Sequence, residues 1–545
     1  MLPTFAQLFA VAGIIGAHFG GSQSQGLTAL ATPVFGGRMA QDTDLGQQIA
    51  KGATWMVLQR LAVRSIGLLS TIILARLLIP EDFGLVALAT GLIVVIDSLL
   101  EMGFETALIQ KQTNDKTLYN TAWTLSVIRG VVMGAALLLA ARPLAHLYED
   151  PRLIQIVAWL AVSTIISGFQ NIGCIEFRRE LQFDREFTLL VWSKVISFLV
   201  TLTLALTWGD YRALVAGIVV GKAVTVNMSY IMHPYRPSLS LKDYKSFLHF
   251  SKWLGANNIS VVVHQRLDTF VIGKILGTGP LGFYTVAYEI SNLATTELIW
   301  PITRVLFPGF AKIAGDRPRL ARGFIDSISA LAFLAIPLGV GIALTAPHIV
   351  GIFLGEKWIV VVPLIQILTL YGLINLPTAN SSSLYLAIGR PDVLVKRSFP
   401  SVLVLVPGLI VGAMKFGSVG AAWALVLAAC VNFVMNFYFL RRELGVGIPE
   451  ALQACKRPAL AAFIMFVVVA ALEYVWPVEA KILPLILQAS VIAIVGAFTY
   501  FSVALGLWIW AGRPQSAEQK AVLIVKSWID ARFSKSAAPS SARPI

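Results

Sequence analysis

The chain is a succession of apolar runs near twenty residues long, each closed by a charge, a proline or a glycine and followed almost at once by the next. A helix of that length crosses the hydrocarbon of a bilayer. In lipid every backbone N–H and C=O must be satisfied within the chain, which leaves only helices and closed barrels. A barrel would need alternating segments of about ten residues, and these runs do not alternate. Only 13% of the residues are charged and 57% are hydrophobic, far from the charged share of about a quarter in a soluble domain. The expected fold is an all-α polytopic membrane protein with about 14 transmembrane helices. We place them near 53–79, 82–104, 118–141, 151–173, 187–208, 211–232, 249–275, 281–304, 323–345, 360–388, 398–415, 418–440, 457–476 and 482–510. Breaks as short as Pro80-Glu81 and Gly209-Asp210 make neighbouring helices antiparallel.

Residues 1–38 stand apart. Met1 to Gly37 carry no Lys, Arg, Asp or Glu, so the modest apolar run Phe5 to Ile15 lacks the basic flank of a secretory signal. We expect Met39 to be the working start and residues 1–38 to be a non-native or dispensable extension. The rival expectation is an extra segment that dips into the membrane.

The charge balance of +14, from 43 Lys and Arg against 29 Asp and Glu, reads first as topology. With residues at span ends counted with their loops, 29 of the 43 cations fall in the leader, the tail and the loops after even-numbered spans. Seven fall after odd-numbered spans, and the other seven lie within spans. Cytoplasmic loops are the ones enriched in Lys and Arg. Both termini, including the tail 512–545, are therefore expected on the cytoplasmic side, and no nucleic-acid partner is needed to explain the charge. The three cysteines, Cys174, Cys430 and Cys455, have neither disulfide nor metal spacing, so no metal or cofactor is expected.

The chain also matches itself without gaps at an offset of 198 residues, the separation of Gly84 and Gly282. STIILARLLIPEDFGLVALA at 70–89 overlays DTFVIGKILGTGPLGFYTVA at 268–287, pairing Thr71 with Thr269, Arg76 with Lys274 and Ala89 with Ala287. The match opens the first and the seventh span. Six spans per half is an even number, so both halves enter from one side in a parallel pseudo-two-fold repeat. Transporters built this way place the substrate between the halves. The expected division is a lobe of six helices at 39–247, a second at 248–445, and two additional helices at 446–511.

Several segments resemble one family. LARLLIPEDFGLVALA (74–89), FRRELQFDREF (177–187), RLDTFVIGKILG (266–277), FLGEKWIVVVPLIQIL (353–368) and SSSLYLAIGRPD (381–392) are similar to the bacterial polysaccharide transporters, the Wzx-type flippases of lipid-linked oligosaccharides. The similarity runs from about Gly52 to Leu444 and fades over the last two spans. It implies the fold of the multidrug/oligosaccharidyl-lipid/polysaccharide superfamily, two six-helix lobes about a cavity. It also implies a substrate, an undecaprenyl-pyrophosphate-linked repeat unit moved across the bacterial inner membrane for exopolysaccharide or surface polysaccharide assembly. A polysaccharide polymerase and export machinery are partners to be expected alongside membrane lipids.

Such a substrate needs a hydrated cavity with cations for the pyrophosphate and a lateral opening for the isoprenoid tail. A cation at a helix centre costs roughly 2.5–3.5 kcal/mol on insertion scales, so it should face protein or water. Arg60 and Arg64 share a face of the first span at i, i+4, and guanidinium forks suit phosphate oxygens. Arg129, Lys194, Lys222 and Arg266 complete the candidate pyrophosphate set. The competing reading is that these cations, with Arg76, neutralise Asp97, Glu101, Asp268, Glu289, Glu297 and Asp326 and hold the bundle together. For ion coupling the candidates are Asp97 with Glu101, at i, i+4 on the second span, and Glu289 with Glu297 on the eighth. Close carboxylates in a poorly hydrated site raise one another's proton affinity.

Other signals read as structural. Trp192, Trp253, Trp300, Trp358, Trp423 and Trp476 suit interface anchors or packing. The hydroxyls of SSSLY suit back-bonding or packing against a neighbouring helix, with a sugar path as the rival reading, and Glu176 to Glu186 suits an interfacial helix. Glu356-Lys357-Trp358 has no physical account at this level. No Walker A motif, HExxH or acidic metal cluster is present, so an enzyme is not expected. The alternatives are a multidrug cation antiporter of the same superfamily, which would want an acidic aromatic cavity, and a peptidoglycan lipid-precursor flippase.

Overall fold

The computed structural model describes residues 43–100, 115–242, 266–293, 309–477 and 481–512, with a few isolated positions besides. Every regular element among them is helical. In chain order they are α1 (Thr43–Leu77), α2 (Pro80–Leu99), α3 (Lys116–Tyr148), α4 (Arg152–Gly168), α5 (Ile175–Arg179), α6 (Phe183–Trp208) and α7 (Tyr211–Met232). The second half holds α8 (266–276), α9 (Thr278–Ser291), α10 (Arg317–Leu344), α11 (Ala346–Ile349), α12 (Val361–Ala379), α13 (Ser381–Ala387) and α14 (Asp392–Leu444). Two further helices follow, α15 (Ile448–Val475) and α16 (Ile482–Trp510). Among the described residues ten helices are long and apolar enough to cross a membrane, and an eleventh is gained if the bent α4–α5 pair counts as one span. The expected spans near 249–275 and 281–304 fall only in part on described residues.

Helix α14 is two expected spans in one. Gly417 breaks it with φ 63° and ψ −149°, a conformation open to glycine. The two arms fold back on each other: a Cβ on Gly412 would lie 2.5 Å from the carbonyl oxygen of Gly420, and one on Gly420 would lie 2.2 Å from that of Gly412. Farther down the hairpin, Ser401 donates to the Ala428 carbonyl across the arms at 2.8 Å. Small residues let helix backbones approach where lipid provides no hydrophobic drive.

Helices of the first half pack mainly on one another, α3 on α4, α6 on α7 and α1 on α6. In the second half α12 packs on α14, α10 and α9, and the appended α15 and α16 lie against α10. The α2–α9 contact joins the two halves. There Gly84 and Gly282 make a reciprocal backbone approach: a Cβ on Gly84 would sit 1.8 Å from the Thr278 carbonyl oxygen, and one on Gly282 would sit 1.8 Å from that of Pro80. Pro80 and Thr278 are separated by the same offset as the two glycines. This reciprocity is what a two-fold relation between the halves requires.

All of this lies at one end of the bundle, here the Pro80 end. Buried Asp82 accepts from Ile79 N–H at 3.2 Å and from Tyr211 N–H at 3.1 Å, tying the α1–α2 turn to the α6–α7 turn. Arg76 donates to the Phe353 and Ile352 carbonyls, at the end of the π-helical turn Val350–Leu354. Its repeat counterpart Lys274 donates to the Leu147 carbonyl at 2.7 Å, at the end of α3. Arg76 therefore binds carbonyls, and among the described residues no carboxylate lies within ion-pair distance of it. Lys357 donates to Leu78 and Arg76 carbonyls at the end of α1. Burial pushes its ammonium below the usual range, with Asp82 opposing.

Trp358, expected as an interface anchor or a packing residue, is fully buried and packs. It donates to the Ala75 carbonyl at 2.8 Å and lies edge-on between Phe83 and Phe283. The Glu356-Lys357-Trp358 motif thus clamps the end of α1 to the second half.

Replacing Gly84 by valine should unseat α2 from α9 and lower the melting temperature in detergent by the equivalent of about 1–3 kcal/mol or more, the usual cost of overpacking. Gly67→Ala is the control, since a Cβ there meets nothing within 4 Å.

Candidate functional site

The opposite end of the first half holds a cavity of about 280 Å³. Its lining brings together residues far apart in sequence: Asp97 from α2, Arg129 from α3, Gln170 and Asn171 after α4, Arg178 from α5, Glu186 from α6 and Lys222 from α7. The small residues Gly130 and Gly168 open the space between α3 and α4, whose backbones touch there.

The floor is the stretch expected to be one interfacial helix, and the structure corrects that. The helix ends at Arg179, because Leu181 takes φ 58° and turns the chain into α6. Phe177 and Ile175 are buried inside the lobe and do not face a membrane surface. Arg178 lies 2.7 Å from Glu186, and both reach the cavity. A polar network holds the floor to α7. Asn171 donates to the Tyr235 carbonyl at 2.8 Å, Tyr235 N–H donates to His233 Nδ1 at 3.2 Å, and His233 Nε2 faces Glu176 at 3.1 Å. With Nδ1 accepting, the ring proton sits on Nε2 and donates to the carboxylate. Burial pushes the Tyr235 phenol above its ordinary range.

The candidate cations do not gather in one place. Arg129 and Lys222 line this cavity, Lys222 from its exposed edge. Arg129 is salt-bridged to Asp97, which lines the same space. Lys194 lines a second, smaller space of about 130 Å³ with Ser70, Ser197 and Thr201. Arg64 crosses to the second half, where its guanidinium lies 3.4 Å from the Glu289 carboxylate and donates to the Glu289 carbonyl at 3.2 Å. Thr71 donates to the other carboxylate oxygen at 3.0 Å. Arg60 is one turn before Arg64 on α1. Arg266 opens α8, and its Nε is buried without a hydrogen-bond partner. Two of the pyrophosphate candidates thus hold two of the ion-coupling candidates. The other two carboxylates, Glu101 and Glu297, lie outside the described residues.

Sequence reasoning missed Arg178 and Glu186 as cavity residues, although both sit in the charged motif FRRELQFDREF. It also counted Arg397 as a loop residue. The structure buries it near the start of α14, where it donates to Asn436 at 2.7 Å and to Ser382 at 3.1 Å, beside the Tyr385 ring. Ser381 accepts from Asn436 at 2.9 Å, so the Ser381 and Ser382 hydroxyls serve this cross-helix network, the packing against a neighbouring helix that is one of the expectations for SSSLY. The usable signal was the density of Ser and Asn around one Arg.

If the cavity binds anions, Asp97 competes with them for Arg129. One unit charge about 10 Å away contributes about 1.7 kcal/mol at an effective dielectric near 20. Titrating inorganic pyrophosphate calorimetrically should therefore show about tenfold tighter binding in Asp97→Asn, and loss of binding in Arg129→Gln combined with Lys222→Gln.

Comparison with known proteins agrees with this architecture. Residues 73–363 match a family model described as polysaccharide biosynthesis protein. The lipopolysaccharide biosynthesis protein WzxC of Escherichia coli K12 is 26% identical over 400 residues, spanning 73% of this chain and 81% of that one. The teichuronic acid biosynthesis protein TuaB of Bacillus subtilis 168 is 24% identical over 432 residues, spanning 77% and 88%. Among solved structures, a lipid II flippase MurJ in an inward closed conformation superposes with a TM-score of 0.69 at 14% identity, covering 84% of this chain and all of that one. That likeness shows the fold.

Proposed function

The chain belongs to the polysaccharide biosynthesis protein family, and from that premise we propose that it is a flippase for polyprenyl-pyrophosphate-linked oligosaccharide repeat units, working by alternating access. The observation that carries this reading is the cavity at the end opposite Pro80. Three cations, Arg129, Arg178 and Lys222, line it against two carboxylates, Asp97 and Glu186, with the amides of Gln170 and Asn171 beside them. This suits a pyrophosphate and the first sugar. It does not suit an organic cation, which would need an excess of acid and an aromatic wall.

On the positive-inside rule we place the cavity end on the cytoplasmic side of the inner membrane, with both termini there, and the Pro80 end on the outer side. On this placement the cavity faces the leaflet where the substrate is made, and the packed Pro80 end faces the other. We divide the chain into lobes at 39–247 and 248–445 with an appended pair at 446–511. Arg60, Arg64, Lys194 and Arg266 stand as later contacts along the headgroup's path. In this scheme the Arg64–Glu289 bridge opens when a phosphate takes the arginine. Asp97 and Glu289 would then be the carboxylates that an ion could follow, with Glu101 and Glu297 as further candidates. A polymerase and export machinery would take the product.

Deletion of the gene, with analysis of lipid-linked intermediates, tests the reading. Accumulation of undecaprenyl-linked oligosaccharide with loss of extracellular polysaccharide is the expected outcome. The Arg129→Ala, Lys222→Ala double variant should restore less than about a tenth of the polysaccharide. Drug sensitivity with normal polysaccharide would instead mark an antiporter.

A further inference from the structure

One carboxyl group in the second half is held differently from the arginine-paired Asp97 and Glu289. Asp268 on α8 is 5% exposed, and its partners are neutral. Tyr284 of α9 donates to one carboxylate oxygen at 2.6 Å, and the backbone N–H of Thr269 donates to the other at 2.7 Å, with the Thr269 hydroxyl at 3.4 Å. Asp97 and Glu289, by contrast, are held by arginines. Among the described residues no cation comes within ion-pair distance of Asp268. Arg266, two residues earlier on α8, acts on it only through space. Tyr284 and Tyr288 of α9 and Tyr371 of α12 are the other ionisable groups whose charges act on this site. A carboxylate buried without a cation neutralises by taking up a proton more readily than it stays charged.

The position matters as much as the chemistry. Tyr284 and Tyr288 are four apart and share one face of α9, stacked at 6.1 Å. Gly282 and Glu289 are seven apart and share another face. That second face meets the first half twice, in the backbone approach to Pro80 and in the bonds from Arg64 and Thr71. One short helix therefore reads the state of Asp268 on one side and holds the two halves together on the other. With the carboxylate charged, the Tyr284 hydroxyl is fixed as a donor. With a proton on that oxygen the carboxyl becomes the donor, and the Tyr284 hydroxyl must accept and turn its own hydrogen elsewhere.

We propose that Asp268 is a proton-binding site that couples transport to a proton gradient, its charge state transmitted through Tyr284 and α9 to the contact between the halves. This rests on the flippase reading for its cargo, and proton binding can be read separately. Infrared difference spectra of the purified full-length protein across a pH titration should show the C=O stretch of a protonated carboxylic acid, lost in Asp268→Asn and titrating at a different pH in Tyr284→Phe. In proteoliposomes, translocation of a fluorescent undecaprenyl pyrophosphate should accelerate under an imposed pH gradient and slow on adding a proton ionophore. Asp268→Asn should lose that acceleration and run about tenfold slower. Gradient-driven acceleration that survives in Asp268→Asn, or transport driven by sodium without pH dependence, overturns the proposal. So does an infrared band unchanged by both variants, and Tyr284→Phe serves alone if the asparagine variant does not fold. A wild-type protein that shows the band but moves no lipid would refute the flippase reading and leave the proton site standing.

Discussion

The structure depends on two backbones touching. At the α2–α9 crossing no side chain separates Gly84 from Thr278 or Gly282 from Pro80, and each contact repeats the other under the offset of the internal duplication. In a bilayer, helices gain little by hiding apolar surface, because the lipid is as apolar as the partner helix. Close approach and hydrogen bonding must supply the specificity. Once the two helices are this near, carbonyls at the ends of α1, α3 and the π turn come within reach of Lys357, Lys274 and Arg76. Cations at helix C-termini are favoured by the helix dipole as well. Trp358 then fills the remaining gap.

Much of the architecture was legible because the bilayer imposes a single length on every span, and the ends of α6, α7 and α16 fall within a few residues of the reading. The duplication was legible too, since Gly84 and Gly282 are aligned by simple offset. What could not be read were pairings across the fold. Arg64 and Glu289 are 225 residues apart, and no local rule of helix spacing connects them. The segment after α4 misled for a different reason. Its alternation of charged and apolar residues fits a helix on a membrane surface and a short turn with a buried Phe177 equally well, and the left-handed residue Leu181 gives no composition signal. Arg397 was assigned to a loop because a span boundary was drawn one residue beyond it.

Counting intramembrane cations overstates the charge a substrate would meet. Arg64 and Arg129 are balanced by carboxylates, Arg178 by Glu186, and Arg397 is held by neutral amide and hydroxyl groups. The lobe cavity keeps its cationic character by a margin of one residue in the lining. A margin that small makes the neighbouring carboxylates part of the binding chemistry, since removing or protonating any of them changes the balance as much as adding a lysine.

The cations at the Pro80 end have a consequence for direction. Arg76, Lys274 and Lys357 each point a donor into a carbonyl at a helix end, and Lys274 also meets the Glu149 carboxylate, so while this end stays shut those donors are engaged. Opening it would uncouple those donors from the carbonyls they satisfy. An electrostatic foothold for phosphate would then exist at the far end only for as long as that end is open. In the proposed cycle the pull on the headgroup would thus change sides together with the gate, and a protein of fixed net charge would present its positive potential to one leaflet at a time.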